Sequence, residues 1–317
     1  METAVIACTG EDSTTFLQNQ LTADIESISQ EQWGFAGYCS AKGRLFATFA
    51  VFPTLEGFYL VTHASVVEAV VARLELFRMR SKVNFTVEHD FRMICEHSVR
   101  PQTLPQSFAR HMRANISQPI KLGVVPQTLI TSQLTAEAID DGKVLDQNLA
   151  LTLSENGIAW VEQSMAEKFL PQSLNLDLIG AVSFKKGCYP GQEIVARIRY
   201  RGKPKQRMIA AQLPASFEGM IGDEIDLGDD SGSRKATIVC RTYDSIQDHI
   251  LMLATVPISA LDSSLAQHWA ARLGSVRARP SWARQWSGPR WSGPRWSGPR
   301  WSGPPWLERQ LRWVHTT

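Results

Sequence analysis

The sequence predicts an α+β protein that ends in a small antiparallel β-barrel and then runs into a low-complexity tail. Three observations predict it. Short apolar runs parted by Gly- and Asp-containing turns fill residues 1–95 and again 201–264, the pattern of antiparallel strands. Residues 64–79 carry apolar side chains at i, i+3 and i+4, the pattern of an amphipathic helix. From residue 286 a five-residue unit takes over that matches neither period.

In chain order, Ala4 to Cys8 reads as a first strand. Thr9 to Ser13 supplies helix-capping residues, and Phe16, Leu17, Leu21 and Ile25 follow at helical spacing. Trp33 to Ser40 and Leu45 to Phe52 read as a hairpin joined by Ala41-Lys42-Gly43-Arg44, and Phe58 to Thr62 as the next strand. The helix over 64–79 presents Val66, Val67, Val70, Val71, Leu74 and Phe77 on one face. Val83 to Val87 and Arg92 to Cys95 complete this group of strands. Residues 96–149, with scattered prolines, form a middle α/β region. Gly157 to Val161 looks like a strand, and residues 150–200 return to the first unit, which makes it discontinuous. Strands over 207–213, 224–227, 235–241 and 250–256 build the barrel of residues 201–264.

Residues 265–317 are a different object: Trp286-Ser287-Gly288-Pro289-Arg290 recurs three times, the last copy ending in Pro305. Proline in every unit blocks helix and ladder alike. The segment reads as an unstructured repeat expansion or a shifted reading frame. Its other reading is an Arg/Trp arm that stacks on single-stranded nucleic acid.

Composition narrows the function classes. The 317 residues are 44% hydrophobic and 20% charged, as in a globular protein of two or three domains. Net charge is +2, from 33 basic and 31 acidic residues, so there is no overall basic field and any RNA connection is local or indirect. No apolar run is long enough to span a membrane, and Met1 to Ile6 lacks the pattern of a secretory signal. Five scattered cysteines without a Cys-x-x-Cys pair argue against a disulfide framework or thiolate metal site and for a reducing cytoplasm. The histidines show no ligand spacing, and no dinucleotide, nucleoside-triphosphate or hydrolase-elbow motif occurs.

The chemistry concentrates in Lys186-Gly187-Cys188-Tyr189-Pro190-Gly191-Gln192-Glu193. Pro190 suits a first helical turn, and Gln192 to Arg197 favours helix. Cys188 would then precede a helix N-terminus with Lys185 and Lys186 close by, which favours the thiolate. The alternative is a small buried apolar residue. Glu193 reads as a ligand-facing carboxylate or as a first-turn residue favoured by the helix dipole. Arg197 and Arg199 read as a basic surface strip, and Lys42 as a solvated turn residue. Cys8, Cys95 and Cys240 read as core; Cys39 is left open.

These eight residues resemble the K-G-C-[FY]-x-G-Q-E signature of the YgfZ-like folate-binding proteins. Phe169 to Leu176, Phe16 to Asp24 and Cys39 to Arg44 resemble further blocks of that family, in the same order. The family is similar in fold to the aminomethyltransferase of the glycine cleavage system, which implies a three-domain ring around a folate cavity. It implies tetrahydrofolate or a derivative as cofactor, held by residues 1–95 and 150–200. The signature would supply Lys186, Gly187, Tyr189, Gly191, Gln192, Glu193 and Arg197 to bind it, with Cys188 as the functional thiol. The implied role is a cytoplasmic accessory protein, monomeric, supporting iron–sulfur and tRNA-modifying enzymes without touching nucleic acid or membrane. The alternative is a folate-dependent one-carbon transferase. The stretches around Thr3 and Leu149 lack tryptophans that bacterial members associate with folate, which implies weak to moderate affinity.

Overall fold

The computed structural model describes residues 2–28, 33–95, 110–111, 121–126, 142–226 and 235–258. The repeat tail and most of the middle region lie outside the described residues.

Strands β1 (Thr3–Thr9), β2 (Gly34–Cys39), β3 (Leu45–Pro53), β4 (Gly57–His63) and β5 (Asn84–Glu88) form one antiparallel sheet in the order β2-β3-β4-β1-β5. Both faces are covered, which is why β3 reads as a nearly unbroken apolar run. On one face Ile6, Ala36, Phe49 and Leu60 pack under α1 (Ser13–Gln20) and α2 (Val67–Arg78), through Phe16, Leu17, Val70 and Leu74. On the other face Val5, Phe35, Ala50, Phe52 and Val61 meet residues 158–182 and the two smaller sheets.

A bulge links this second face to the site. Tyr38 pairs with Ala47 but Cys39 pairs with Leu45, so Phe46 is the extra residue and the pleat changes phase. Leu45 thereby turns to the second face. Its backbone N–H donates to the carbonyl of Phe169 and its carbonyl accepts from Glu167 N–H, both at 2.7 Å.

A three-stranded sheet, β6 (Phe91–Cys95), β8 (Lys121–Pro126) and β7 (Arg110–His111), lies in the order β6-β8-β7. Helix α3 (Gly142–Glu155) packs Leu149 and Leu153 into the same core. The C-terminal strands β9 (Gln206–Pro214), β10 (Glu224–Asp226), β11 (Lys235–Asp244) and β12 (His249–Pro257) form a sheet in the order β10-β11-β12-β9. Among the described residues this is a half-barrel.

Three sequence expectations are corrected. Helix α1 ends at Gln20, because the Gln18 side chain accepts from Ile25 N–H at 2.7 Å and folds the following turn back. Gly157 to Val161 joins no strand although Ile158 to Val161 is buried, and Val161 N–H donates to the Thr48 hydroxyl at 3.0 Å rather than to a ladder. Phe77 is exposed rather than core-facing; the Arg73 guanidinium lies over its ring, 5.6 Å from the centroid.

Candidate functional site: the seam around the Cys188 loop

The motif blocks read along the chain converge in space. After α1, Thr22 donates its hydroxyl to the Ala181 carbonyl at 2.6 Å and accepts from Gly37 N–H at 2.7 Å. Its own carbonyl accepts from Ser183 N–H at 2.8 Å. The chain leading into the signature is thus stitched to α1 and β2 together. On the other flank, Gln172 donates to the Val195 carbonyl at 2.8 Å, inside α4 (Gln192–Arg201). Arg207 holds Asp177 through two contacts, 2.6 and 3.0 Å, and also donates to the Gln172 carbonyl at 2.8 Å. Asp177 is almost fully enclosed there, with its side chain only 4% exposed.

Within the loop each residue has a distinct fate. Lys186 does not point at Cys188. Its ammonium donates to the carbonyls of Leu21 at 2.8 Å and Ala23 at 2.7 Å, just past the end of α1. Burial lowers its pKa to about 8, opposed by the charges of Asp24 and Glu26. Gly187 is exposed, with nothing within 4 Å of where a Cβ would stand. Cys188 is exposed, while Cys8, Cys39 and Cys95 are buried and Cys240 is largely so. The buried-core alternative for Cys188 is therefore excluded, and Cys39 joins the core. Burial pushes the Cys39 thiol up to about 12.

Tyr189 turns inward and is buried, 5.5 Å from the Lys186 ammonium across its ring. Burial, and secondarily Cys39, pushes its phenol well above the ordinary value. Gly191 adopts φ 79°, and a Cβ there would lie 2.5 Å from Gly43 Cα, Gly43 N and Ser40 O. The signature loop and the β2–β3 hairpin thus meet backbone to backbone, and glycine is required on the signature side. Gly43 itself has φ 69°. Pro190 sits before the helix cap instead of in the first turn, because Gly191 is the capping residue. Gln192 opens α4, its side chain 3.4 Å from the Gly187 carbonyl. Glu193 is an exposed first-turn residue, and Arg197 and Arg199 are exposed further along.

Eleven buried side-chain polar atoms among the described residues have no hydrogen-bond partner, none of them visible in the sequence; they include Ser40 Oγ, Gln172 Oε1, Tyr189 OH and Trp160 Nε1. Trp160 packs edge-on against Phe35, 6.1 Å between centroids, and Tyr189 senses Cys39. Phe35 and Cys39 share one face of β2, about 13 Å apart along a strand. Buried donors and acceptors without a partner are uncommon in folded proteins, and Ser40, Gln172 and Tyr189 all belong to the blocks that meet at the signature loop. Among the described residues no group of His, Cys, Asp and Glu could hold a metal ion.

No protein-family model matches the chain. Curated relatives do. The tRNA-modifying protein YgfZ of Aliivibrio fischeri strain MJ11 is 27% identical over 262 residues, covering 80% of this chain and 82% of the relative. The same protein of A. fischeri strain ATCC 700601 / ES114 matches to the same extent. The chain is thus similar to the YgfZ proteins over four fifths of its length. The match takes in most of the chain rather than one motif. Among solved structures, the glycine cleavage system aminomethyltransferase T from Bartonella henselae superposes with a TM-score of 0.60. At 13% identity, over 81% of this chain and 76% of the other, that likeness shows the fold alone. The chain therefore has an aminomethyltransferase-like fold of mixed helices and antiparallel sheets.

Proposed function

We propose that this chain is a tetrahydrofolate-binding accessory protein that supports iron–sulfur enzymes and tRNA thiomethylation, with Cys188 as its functional thiol. One observation carries the reading. Cys188 is the exposed cysteine of the described residues, and its loop is clamped by Lys186, Gly191 and Gln172 onto three other motif blocks. A surface thiol with no role would not require such fixation. The relatives' name, tRNA-modifying protein, supports the process.

The residues present fit a reduced folate. A pterin edge needs hydrogen-bond donors and acceptors in an apolar enclosure. The orphaned Tyr189 OH, Gln172 Oε1 and Ser40 Oγ, on the blocks that meet at the signature loop, offer both kinds. Of the signature residues, Tyr189 is assigned to the ligand, while Lys186, Gly191 and Gln192 build the loop that aims it. When bound, the folate supplies a one-carbon carrier; the chain itself orients it and excludes water. The finer architecture belongs to the same proposal: three domains in a ring, with the C-terminal sheet closing as a barrel. A cytoplasmic setting follows from the client enzymes proposed, and among the described residues no helix is long and apolar enough to cross a membrane.

Calorimetric titration of the full chain with tetrahydrofolate tests the ligand. Saturable heat is expected, weakened in Tyr189→Phe, which keeps the ring and removes the hydroxyl. No saturable heat at millimolar ligand would refute the folate assignment.

A further inference from the structure

The near-neutral total charge conceals a segregated one. Residues 185–207 hold eight basic side chains, at 185, 186, 197, 199, 201, 203, 205 and 207, against Glu193 alone, a net of +7. Since the whole chain is +2, the remainder is −5. Lys186 is consumed by carbonyls and Arg207 by Asp177, Arg199 lies over the Phe184 ring, and Lys203 also has a partner. The others face outward.

The fold adds to them. The contact of Gly43 with Gly191 and Ile194 sets the β2–β3 hairpin beside the first turn of α4. This brings exposed Lys42 and Arg44 next to a helix whose outer side carries Arg197 and Arg201, four residues apart. Arg44 is fixed by donating to the Lys168 carbonyl at 2.5 Å, and Lys168 is exposed in turn. Lys42, Arg44, Arg197 and Arg201 form no ion pair with a carboxylate among the described residues. Glu193, four residues before Arg197, is the acidic residue of α4. Among these cations Tyr200 stands 67% exposed, three residues from Arg197.

We propose that this face, formed by α4 and the β2–β3 turn, binds RNA directly. The cations track the phosphate backbone and Tyr200 stacks on an unpaired base. Unpaired guanidinium groups with an exposed aromatic among them match a single-stranded or looped RNA. An acidic protein surface would be expected to meet a larger apolar centre. The site is separate from the inward-facing Tyr189 seam, so the proposal does not depend on folate binding. It reverses the expectation of no nucleic-acid contact, which averaged charge over the whole chain.

The test uses the full chain and fluorescein-labelled bulk tRNA, read by anisotropy between 50 and 200 mM salt. Binding is expected at low salt, with the affinity falling log-linearly as salt rises. The variant K42E/R197E/R201E should lose at least about tenfold in affinity, and its salt slope should fall by about 2 to 3 for three lost phosphate contacts. R197K/R201K, which keeps the charges, should bind nearly as the parent does. Tyr200→Ala should weaken binding without changing the slope. All substituted side chains are exposed, so unchanged melting curves verify the fold. The proposal fails if the parent does not bind tRNA at low salt. It fails equally if the triple variant binds with the parent's affinity and slope, which would place binding elsewhere, for instance on the Arg/Trp repeats.

Discussion

Replacing Gly191 with alanine drives a methyl group into the backbone of the β2–β3 hairpin. The new Cβ would stand 2.5 Å from Gly43 Cα, Gly43 N and Ser40 O, none of which is the end of a flexible side chain. The backbone there is also left-handed, φ 79°, at a cost of about 1–2 kcal/mol for any other residue. Overpacking against backbone adds about 1–3 kcal/mol, so the total is about 2–5 kcal/mol. At about 2–4 °C per kcal/mol this corresponds to a melting-temperature drop of roughly 4–20 °C. Two companion variants separate the causes. Gly157→Ala has φ 68° but nothing within 4 Å, so it carries the conformational cost alone. Gly187→Ala, in the same loop, has open space and no positive φ, and should stay within about 0.5 kcal/mol of the parent. Thermal and denaturant unfolding of the three variants should rank Gly191, Gly157, Gly187 from most to least destabilised. If Gly191→Ala melted with Gly187→Ala, the backbone contact between loop and hairpin would be wrong.

Other outcomes follow from the same seam. Arg207→Ala strands a nearly buried Asp177 and should cost about 3–5 kcal/mol, checked by denaturant unfolding. Lys186 releases its proton near pH 8 when folded but near 10.5 when unfolded, so the unfolded chain binds more protons between those values. Stability should therefore rise from pH 8 toward 10 relative to Lys186→Met; parallel pH profiles would contradict that. Iodoacetamide at neutral pH should modify Cys188 first, because Cys39, Cys8 and Cys95 are buried. Equal labelling of Cys39, followed by mass spectrometry of peptides, would refute the exposed placement.

Local apolar pattern was enough for β1 to β6 and α2: β3 is a continuous apolar run covered on both faces, and α2 buries Val70 and Leu74 at helical spacing. It failed where a side chain overrode the pattern. Ile25 sits at helical spacing from Leu21, yet Gln18 binds its N–H and the helix has already ended. Trp160 lies in an apolar run like a strand, but its neighbour Val161 bonds a threonine hydroxyl instead of a ladder. The Cys188 motif was legible as residues and its helix as a helix, whereas the direction of Lys186 was not. That side chain answers to carbonyls 163 and 165 positions away, and no window on the sequence contains both ends. The same holds for Thr22 and Ala181, 159 residues apart, and for the basic face, which needs the hairpin and α4 side by side.

A hydrogen-bonded seam presents the Cys188 thiol to solvent, and the proposed function gives that thiol a role in tRNA thiomethylation. Its most direct test replaces the chain with Cys188→Ser in cells that rely on it and measures thiomethylated nucleosides in their tRNA by mass spectrometry. The serine is nearly isosteric and the position exposed, so the variant should accumulate and melt like the parent, within about 1 kcal/mol. Thiomethylated nucleosides should fall to the level of cells lacking the protein. Full thiomethylation with the serine variant would contradict that role and move the function away from the thiol.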